Sequence, residues 1–429
     1  MKVQIHPMNK LKGIIHIPGD KSISHRGVIF GALAKGTTRL KNFLMADDCI
    51  NTINVFRKMG ISIDILDKNA IIIQGKGING LSKPIGILDA GNSGTTARLL
   101  MGLLSGQVFP SIISGDDSLQ TRPMDRITVP LDMMGANLSS QNKKGFLPIH
   151  IKGRTTRPLK AIDYSLPVAS AQVKSSIILA SLYAEDSCTI RQPATSRDHT
   201  EIMLKTFGGD IHTVDDTITT YPIQQLLAQD INVPGDISSA AYFITAALLA
   251  ENSEISLPNI GINPTRSGIL DVYRKMGAQI VLDRVNHIDG EPSANITAKS
   301  SSLKAVVIEG TIIPRLIDEI PIIALAATQA KGTTLIRDAQ ELKVKESNRI
   351  DSTVNILKGF GANIEATPDG MIIQGPTPLY GTRVHPGSDH RSIMMAAVAG
   401  LIAKGSTTIE NSQWVDISYP DFFQQIKKL

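Results

Sequence analysis

Cysteine, aromatic residues and long apolar runs are all scarce in this chain. Two cysteines, Cys49 and Cys188, occur in 429 residues, and neither belongs to a CxxC or another metal-type spacing. This excludes a disulfide framework and a structural zinc, and it points to an intracellular protein. Aromatic residues make up 4% of the chain, with a single Trp. The core therefore has to come from Ile, Leu, Val, Ala and Met. An unbroken apolar run of roughly 18 residues, the length a spanning helix needs, is absent. The greasiest stretches, near Ala240–Ala250 and Ile393–Ala403, have the length of a buried helix. The opening MKVQIHPMNK lacks the apolar core of a secretion signal, and a cytoplasmic location is expected.

Charge of one sign is not concentrated anywhere. The net charge of +5 comes from 44 Lys and Arg against 39 Asp and Glu, scattered without a block of like charges. No aromatic platform for a single strand and no basic helix for a groove accompanies them, so nucleic acid is not expected as a partner. A small polyanionic substrate suits the balance at least as well. The length favours two domains.

What is present is repetition. A small-residue turn, an Ala-rich helix and a short strand-like run recur six times, opening at Pro18, Ala90, Pro167, Pro234, Asp318 and Pro386. A second helix follows five of these, ending at Gly60, Gly135, Gly208, Gly277 and Gly361 before an alternating strand. Glycine there suits a left-handed C-cap. The sixth second helix is FFQQIKKL, and its strand is missing. The N-terminal strands MKVQIHP and GIIHIPG can supply it, which splits the sixth repeat between the two chain ends. The expected class is α/β (α+β), each repeat being β-α-β-α-β-like. A solenoid is one arrangement. Two globular domains of three repeats enclose the apolar helices better: residues 19–234 in one, residues 1–18 with 235–429 in the other. The chain would cross at the PGD turns Pro18–Asp20 and Pro234–Asp236, as hinges or as ordinary turns.

The polar residues cluster where the opening helices begin. The first offers Lys21, Ser22 and Arg26, the second Asn92, Ser93 and Gly94, and the third Ser170 and Gln172. The fifth offers Asp318, and the sixth Asp389, His390 and Arg391. A helix N-terminus, with free N–H groups and the positive end of the dipole, seats anions. Plain N-capping accounts equally well for any one of these motifs. It does not account for the Lys and Arg that crowd such starts, as at Lys21, Arg26 and Arg391, where the dipole disfavours cations unless an anion is bound. Further along lie Arg122 in QTRP and Lys345, Glu346 and Arg349 in VKESNR. Helical spacing puts Lys345 and Arg349 on one face, one turn apart. GNSG is not a Walker A loop, since no GKS or GKT follows.

In this order, PGDKSISHR, AGNSGTTARL, QTRP, VASAQVKS, LIDEIP, VKESNR and HPGSDHRSIMM resemble the signature set of the 5-enolpyruvylshikimate-3-phosphate (EPSP) synthase family over nearly the whole chain. The resemblance implies the enolpyruvyl transferase fold: an inverted α/β barrel-like pair of domains, each of three βαβαββ repeats, with the active site in the cleft between them. It implies shikimate 3-phosphate at Lys21, Ser22, Arg26, Ser170, Gln172, Ser196, Asp318 and Lys345. Phosphoenolpyruvate is implied at Lys21, Asn92, Gly94, Arg122, Gln172, Arg349 and Arg391. Two positions depart from some family members: Ala171 replaces a second Ser after Ser170, and Ile417 stands where a Lys precedes the aromatic-Pro pair Tyr419-Pro420.

The implied reaction is addition–elimination, with Asp318 as base for the acceptor hydroxyl and Glu346 with Lys21 moving the proton at C3 of the donor. No metal or organic cofactor is called for, the partners are the two small substrates, and a monomer is expected. Glyphosate is the family's competitor of phosphoenolpyruvate. The nearest alternative is a UDP-N-acetylglucosamine enolpyruvyl transferase, which usually carries a loop Cys; the stretch Ser114–Arg122 here has none. A non-catalytic anion-binding repeat protein is the other alternative, and it would need neither Asp318 nor Glu346.

Overall fold

The computed structural model describes residues 1–154, 157–288 and 290–429. Its building block follows from the alternation of apolar helix and short strand. The six opening helices are Lys21–Leu33, Gly94–Ser105, Ala171–Ser181, Ile237–Leu249, Ile320–Thr328 and His390–Ile402. They carry apolar or small side chains on nearly every face, and most of their residues are buried. Such helices are stable only when enclosed. Side chains cap four of them. Asp20 accepts from Ile23 N at 2.9 Å, Ser93 from Thr96 N at 3.1 Å, Asp236 from Ser238 N at 2.8 Å and Asp389 from Arg391 N at 3.0 Å.

Four of the opening helices, Gly94–Ser105, Ala171–Ser181, Ile320–Thr328 and His390–Ile402, each connect two parallel strands of one sheet, as a crossover must. In the second repeat Leu88–Asp89 runs parallel to Ser111–Ser114, which pairs antiparallel with Ile149–Ile151, and that strand with Leu138–Ser140. The same order recurs in Asp163–Ser165, Cys188–Arg191, Thr217–Thr220 and Ile211–Val214, and in Val307–Ile308, Gly332–Ile336, Gly370–Gly375 and Asn363–Thr367. The second helices stop where the sequence places glycine. Gly60, Gly135, Gly208, Gly277 and Gly361 all have φ between 83° and 94°, a region that costs any residue with a Cβ.

The N-terminal strands separate. Lys2–Ile5 completes the sixth repeat, antiparallel to Thr407–Glu410, with Lys2 opposite Glu410 and Ile5 opposite Thr407. Lys12–Ile14 does not join it; it runs parallel to Glu254–Gly261 of the fourth repeat. The matching role in the first repeat falls to Leu226–Leu227 and Asp230–Asn232, parallel to Ala34–Lys41. The strand leading into each PGD turn thus pairs with the repeat that follows the other PGD turn. Both turns are tight. A Cβ on Gly19 would lie 1.8 Å from Asn42 O, and one on Gly235 2.8 Å from Ile260 Cδ1.

The chain forms two compact units. The contiguous unit is Gly19–Val233 with Ile288–Glu291, and the split unit is Met1–Pro18, Pro234–His287 and Pro292–Leu429. Each has its own apolar core. That of the contiguous unit is built mainly from Ile, Leu and Met around Phe30, Phe56 and Phe207. In the split unit the scarce aromatics gather. Phe422 of the C-terminal helix Phe422–Ile426 lies 5.8 Å from Tyr242, 5.7 Å from Phe243 and 5.5 Å from Tyr419, ring to ring.

Candidate active site

The first group of polar residues lies at the start of the Lys21–Leu33 helix, in the contiguous unit. The Lys21 ammonium pairs with Asp48. Ser22 and Arg26 are one turn apart, and Arg26 Nη1 donates to Ser22 O at 3.0 Å. Arg26 Nε donates to Thr200 Oγ1 at 2.6 Å and Nη2 to Ser175 Oγ at 2.9 Å. Burial brings the Arg26 pKa down to about 10, against the pull of Glu201 and Asp20, so the guanidinium is still charged near neutrality. Ser196 Oγ donates to Gln192 Oε1 at 2.9 Å, and Ser196 O accepts from the buried Lys174 ammonium at 3.1 Å. Lys174, which also pairs with Glu201 at 2.6 Å, is absent from the sequence reading. Ser170 stands at the start of Ala171–Ser181 without a side-chain cap bond.

The second group surrounds the GNSG loop of the same unit. Asn92 Oδ1 accepts from Arg122 Nη2 at 2.8 Å, and Asn92 Nδ2 donates to Asp116 Oδ2 at 2.8 Å. Gln172 ties the third repeat to the second: its Oε1 accepts from Arg98 Nη1 at 2.6 Å and its Nε2 donates to Thr95 Oγ1 at 3.1 Å. Arg98 is a second cation that the sequence reading missed. A Cβ built on Gly94 would lie 3.2 Å from Arg98 Nη1 and 3.6 Å from Arg122 Nη1. Gly94 is thus faced by two guanidinium groups, an arrangement suited to a doubly charged oxyanion.

The third group lies in the split unit and is knotted around Arg349. This guanidinium is wholly buried. Its Nε lies 2.8 Å from Asp389 Oδ2, Nη1 3.2 Å from Asp318 Oδ1 and Nη2 2.5 Å from Glu346 Oε2. Burial alone would lower the Arg349 pKa, but Asp389, Glu346 and Asp318 together raise it. Burial likewise pushes Asp389 up, while Arg349 pulls it further down, below the usual carboxylate range. Asp318 is the meeting point of three cations, with Lys345 Nζ at 3.7 Å and Arg391 Nη2 at 3.7 Å from its carboxylate oxygens besides Arg349. Arg391 Nη1 also donates to Asp318 O at 3.2 Å.

Lys345 and Arg349 do not share a helix face. The Arg349–Gly359 helix begins at Arg349, because the Asn348 side chain caps it and accepts from Asp351 N at 3.4 Å. Lys345 is extended, at φ −84° and ψ −159°, and the two cations converge on Asp318 from either side of that cap. Ile417 is buried in the turn segment Ser412–Ile417, so this position brings no charge.

Nearly the whole chain is similar to known proteins. The family model for EPSP synthase (3-phosphoshikimate 1-carboxyvinyltransferase) matches residues 5–426. The 3-phosphoshikimate 1-carboxyvinyltransferase of Bacillus thuringiensis subsp. konkukian is 52% identical over 426 residues, 99% of this chain and 98% of the relative. The solved EPSP synthase of Acinetobacter baumannii superposes with a TM-score of 0.90 at 41% identity, covering 100% of this chain and 98% of that one. The enolpyruvyl transferase NikO of Streptomyces tendae shares the fold, with a TM-score of 0.79 at 17% identity over 99% of this chain and 96% of its own. The six-repeat α/β architecture is therefore the enolpyruvyl transferase fold, and the chain belongs to the EPSP synthase family.

Proposed function

We propose that this enzyme transfers the enolpyruvyl group of phosphoenolpyruvate to the 5-hydroxyl of shikimate 3-phosphate, giving 5-enolpyruvylshikimate 3-phosphate and phosphate, a step toward chorismate and the aromatic amino acids. The observation that carries the reading is Gly94, open to the Arg98 and Arg122 guanidinium groups, in a chain whose family match spans residues 5–426. Shikimate 3-phosphate is held by Lys21, Ser22, Arg26, Ser170, Gln172, Ser196, Asp318 and Lys345. Phosphoenolpyruvate is held by Lys21, Asn92, Gly94, Arg122, Gln172, Arg349 and Arg391. The protein works in the cytoplasm as a monomer on these two small molecules.

In the addition step the acceptor oxygen bonds to C2 of phosphoenolpyruvate. The hydroxyl proton passes to Asp318, and C3 takes a proton from Glu346 or Lys21. In the elimination step the bond from C2 to the phosphate oxygen breaks, phosphate leaves, and C3 returns a proton. The Arg98 and Arg122 guanidinium groups beside Gly94 offset part of the charge that gathers on the departing phosphate. Asp318 is held among three cations, so it is fixed in place before the acceptor arrives. Phosphate release from phosphoenolpyruvate, measured with shikimate 3-phosphate and with UDP-N-acetylglucosamine, tests the assignment. Turnover is expected with the first acceptor alone, and is expected to collapse in Asp318→Ala. Release with the second acceptor, or with neither, contradicts the reading.

A further inference from the structure

An imidazole and three hydroxyls, all buried, form a continuous chain that the roles above leave unused. His25 Nδ1 lies 2.7 Å from Thr52 Oγ1, and Thr52 Oγ1 lies 2.7 Å from Thr96 Oγ1. Thr96 Oγ1 donates to Ser93 Oγ at 2.8 Å. None of the four residues is more than 1% exposed.

Hydrogen counting gives the chain a direction, because each hydroxyl has one hydrogen to donate. Thr96 gives its hydrogen to Ser93, so the Thr96 oxygen accepts from Thr52. Thr52 also approaches Asp48 O at 3.3 Å, but the 2.7 Å contact to Thr96 needs the hydrogen more, since two bare oxygens would repel there. The Thr52 oxygen then accepts from His25, and Nδ1 carries the ring proton. Burial, with Lys21 and Arg26 close by, holds the imidazole pKa well below its ordinary value, so the ring is neutral. At the far end Ser93 Oγ also accepts from Thr96 N at 3.1 Å. Both of its lone pairs are filled, and its own hydrogen remains to be donated.

The chain connects the two anion seats of the contiguous unit. His25 stands one turn after Lys21 on one helix, and Thr52 one turn after Asp48 on the helix Asp47–Lys58. The two helices are joined at two rungs, Lys21 to Asp48 and His25 to Thr52. From Thr52 the chain passes to the Gly94–Ser105 helix and ends on Ser93, between Asn92 and Gly94.

We propose that His25, Thr52 and Thr96 are positioning residues, which hold the Asn92–Gly94 loop and the Ser93 hydroxyl in register with the helix bearing Lys21 and Arg26. The donor seat is thereby built onto the acceptor seat, and its affinity depends on groups that touch neither substrate. The inference rests on the functional reading above.

Thr52→Val keeps the shape of the side chain and removes the hydroxyl, whereas Thr52→Ser keeps the hydroxyl. Steady-state kinetics on both, with both substrates, tests the inference. Loss of one buried hydrogen bond predicts a KM for phosphoenolpyruvate raised about three- to tenfold in Thr52→Val, with the KM for shikimate 3-phosphate within about twofold. Thr52→Ser is expected to restore wild-type values. A merely structural role would raise both KM values together, or would leave Thr52→Ser as impaired as Thr52→Val; either result overturns the proposal, as does an unchanged phosphoenolpyruvate KM. If Thr52→Val does not fold, Thr96→Val carries the same expectation. Wild-type protein that releases no phosphate with shikimate 3-phosphate overturns the functional reading, and the inference with it, before any substitution is compared.

Discussion

Gly94 has an ordinary backbone, so its lack of a side chain matters for space and not for conformation. A methyl there meets the mobile end of Arg98 at 3.2 Å and Arg122 at 3.6 Å, contacts that the arginines can relax. Gly94→Ala is therefore expected to fold normally and to take room from whatever lies between the two guanidinium groups. Glyphosate is longer than phosphoenolpyruvate and has less room to yield. Its inhibition constant is expected to rise about ten- to a hundredfold, with a smaller rise in the KM of the donor. Steady-state inhibition of the two proteins measures this, and equal sensitivity would show that Gly94 does not border the inhibitor. His199 supports a prediction about pH. Its Nδ1 lies 2.6 Å from Glu291 Oε1. Burial lowers the imidazole pKa, but Glu291 more than offsets this and the pKa ends above its ordinary value. A pKa raised on folding stabilises the protein fully below the unfolded value, about 6.5, and the gain is lost as pH rises through the folded value. Wild type should exceed His199→Gln in Tm by more at pH 6 than at pH 9; a margin that grew with pH would contradict the pairing. Arg98 and Lys174 stand inside the motifs AGNSGTTARL and VASAQVKS, but one turn into each helix, where an ordinary surface cation would read the same; Thr52 stands in no motif, and its partner Thr96 is 44 positions away. Most of the residues that were legible stand at the small-residue turns that open the helices or in QTRP and VKESNR, where the polar residue types themselves mark the position.

At the level of the element, the repeats were legible because the second helix of five of them ends in a backbone state that favours glycine. Gly208 isolates that effect. Its φ is +88°, and a Cβ there would meet nothing within 4 Å. Gly208→Ala is thus expected to cost about 1–2 kcal/mol through backbone strain alone, readable as a lower midpoint with an unchanged m-value in denaturant. A neutral outcome would mean that the helix His199–Thr206 can end another way. Strand partners were harder to read. GIIHIPG has the alternation of a strand, but a three-residue edge strand carries no mark of its neighbour, and Lys12–Ile14 went to the fourth repeat instead of the sixth. The start of the Arg349–Gly359 helix was misread for a related reason. Lys, Glu and Arg favour helix, whereas Asn348 decides the boundary by capping it.

For the whole molecule, two separate cores lead to the expectation that heat unfolds the protein in two transitions, since multidomain chains commonly depart from two-state behaviour. Differential scanning calorimetry of wild type and Gly208→Ala tests this: only one transition, that of the contiguous unit, should move. A single peak with equal calorimetric and van't Hoff enthalpies would show that the cores melt as one. The N-terminal strand adds a matter of timing. Lys2–Ile5 is paired with Thr407–Glu410, so it leaves the ribosome some 400 residues ahead of its partner. At about 5–20 residues per second that is a wait of roughly 20–80 s. The contiguous unit has its Gly19–Val233 stretch complete near the midpoint of synthesis, while Val3 and Ile5 still lack the strand that will cover them. For the split unit, then, assembly cannot follow the order of synthesis: a strand translated at the outset is locked into its sheet only after nearly all the rest has been made.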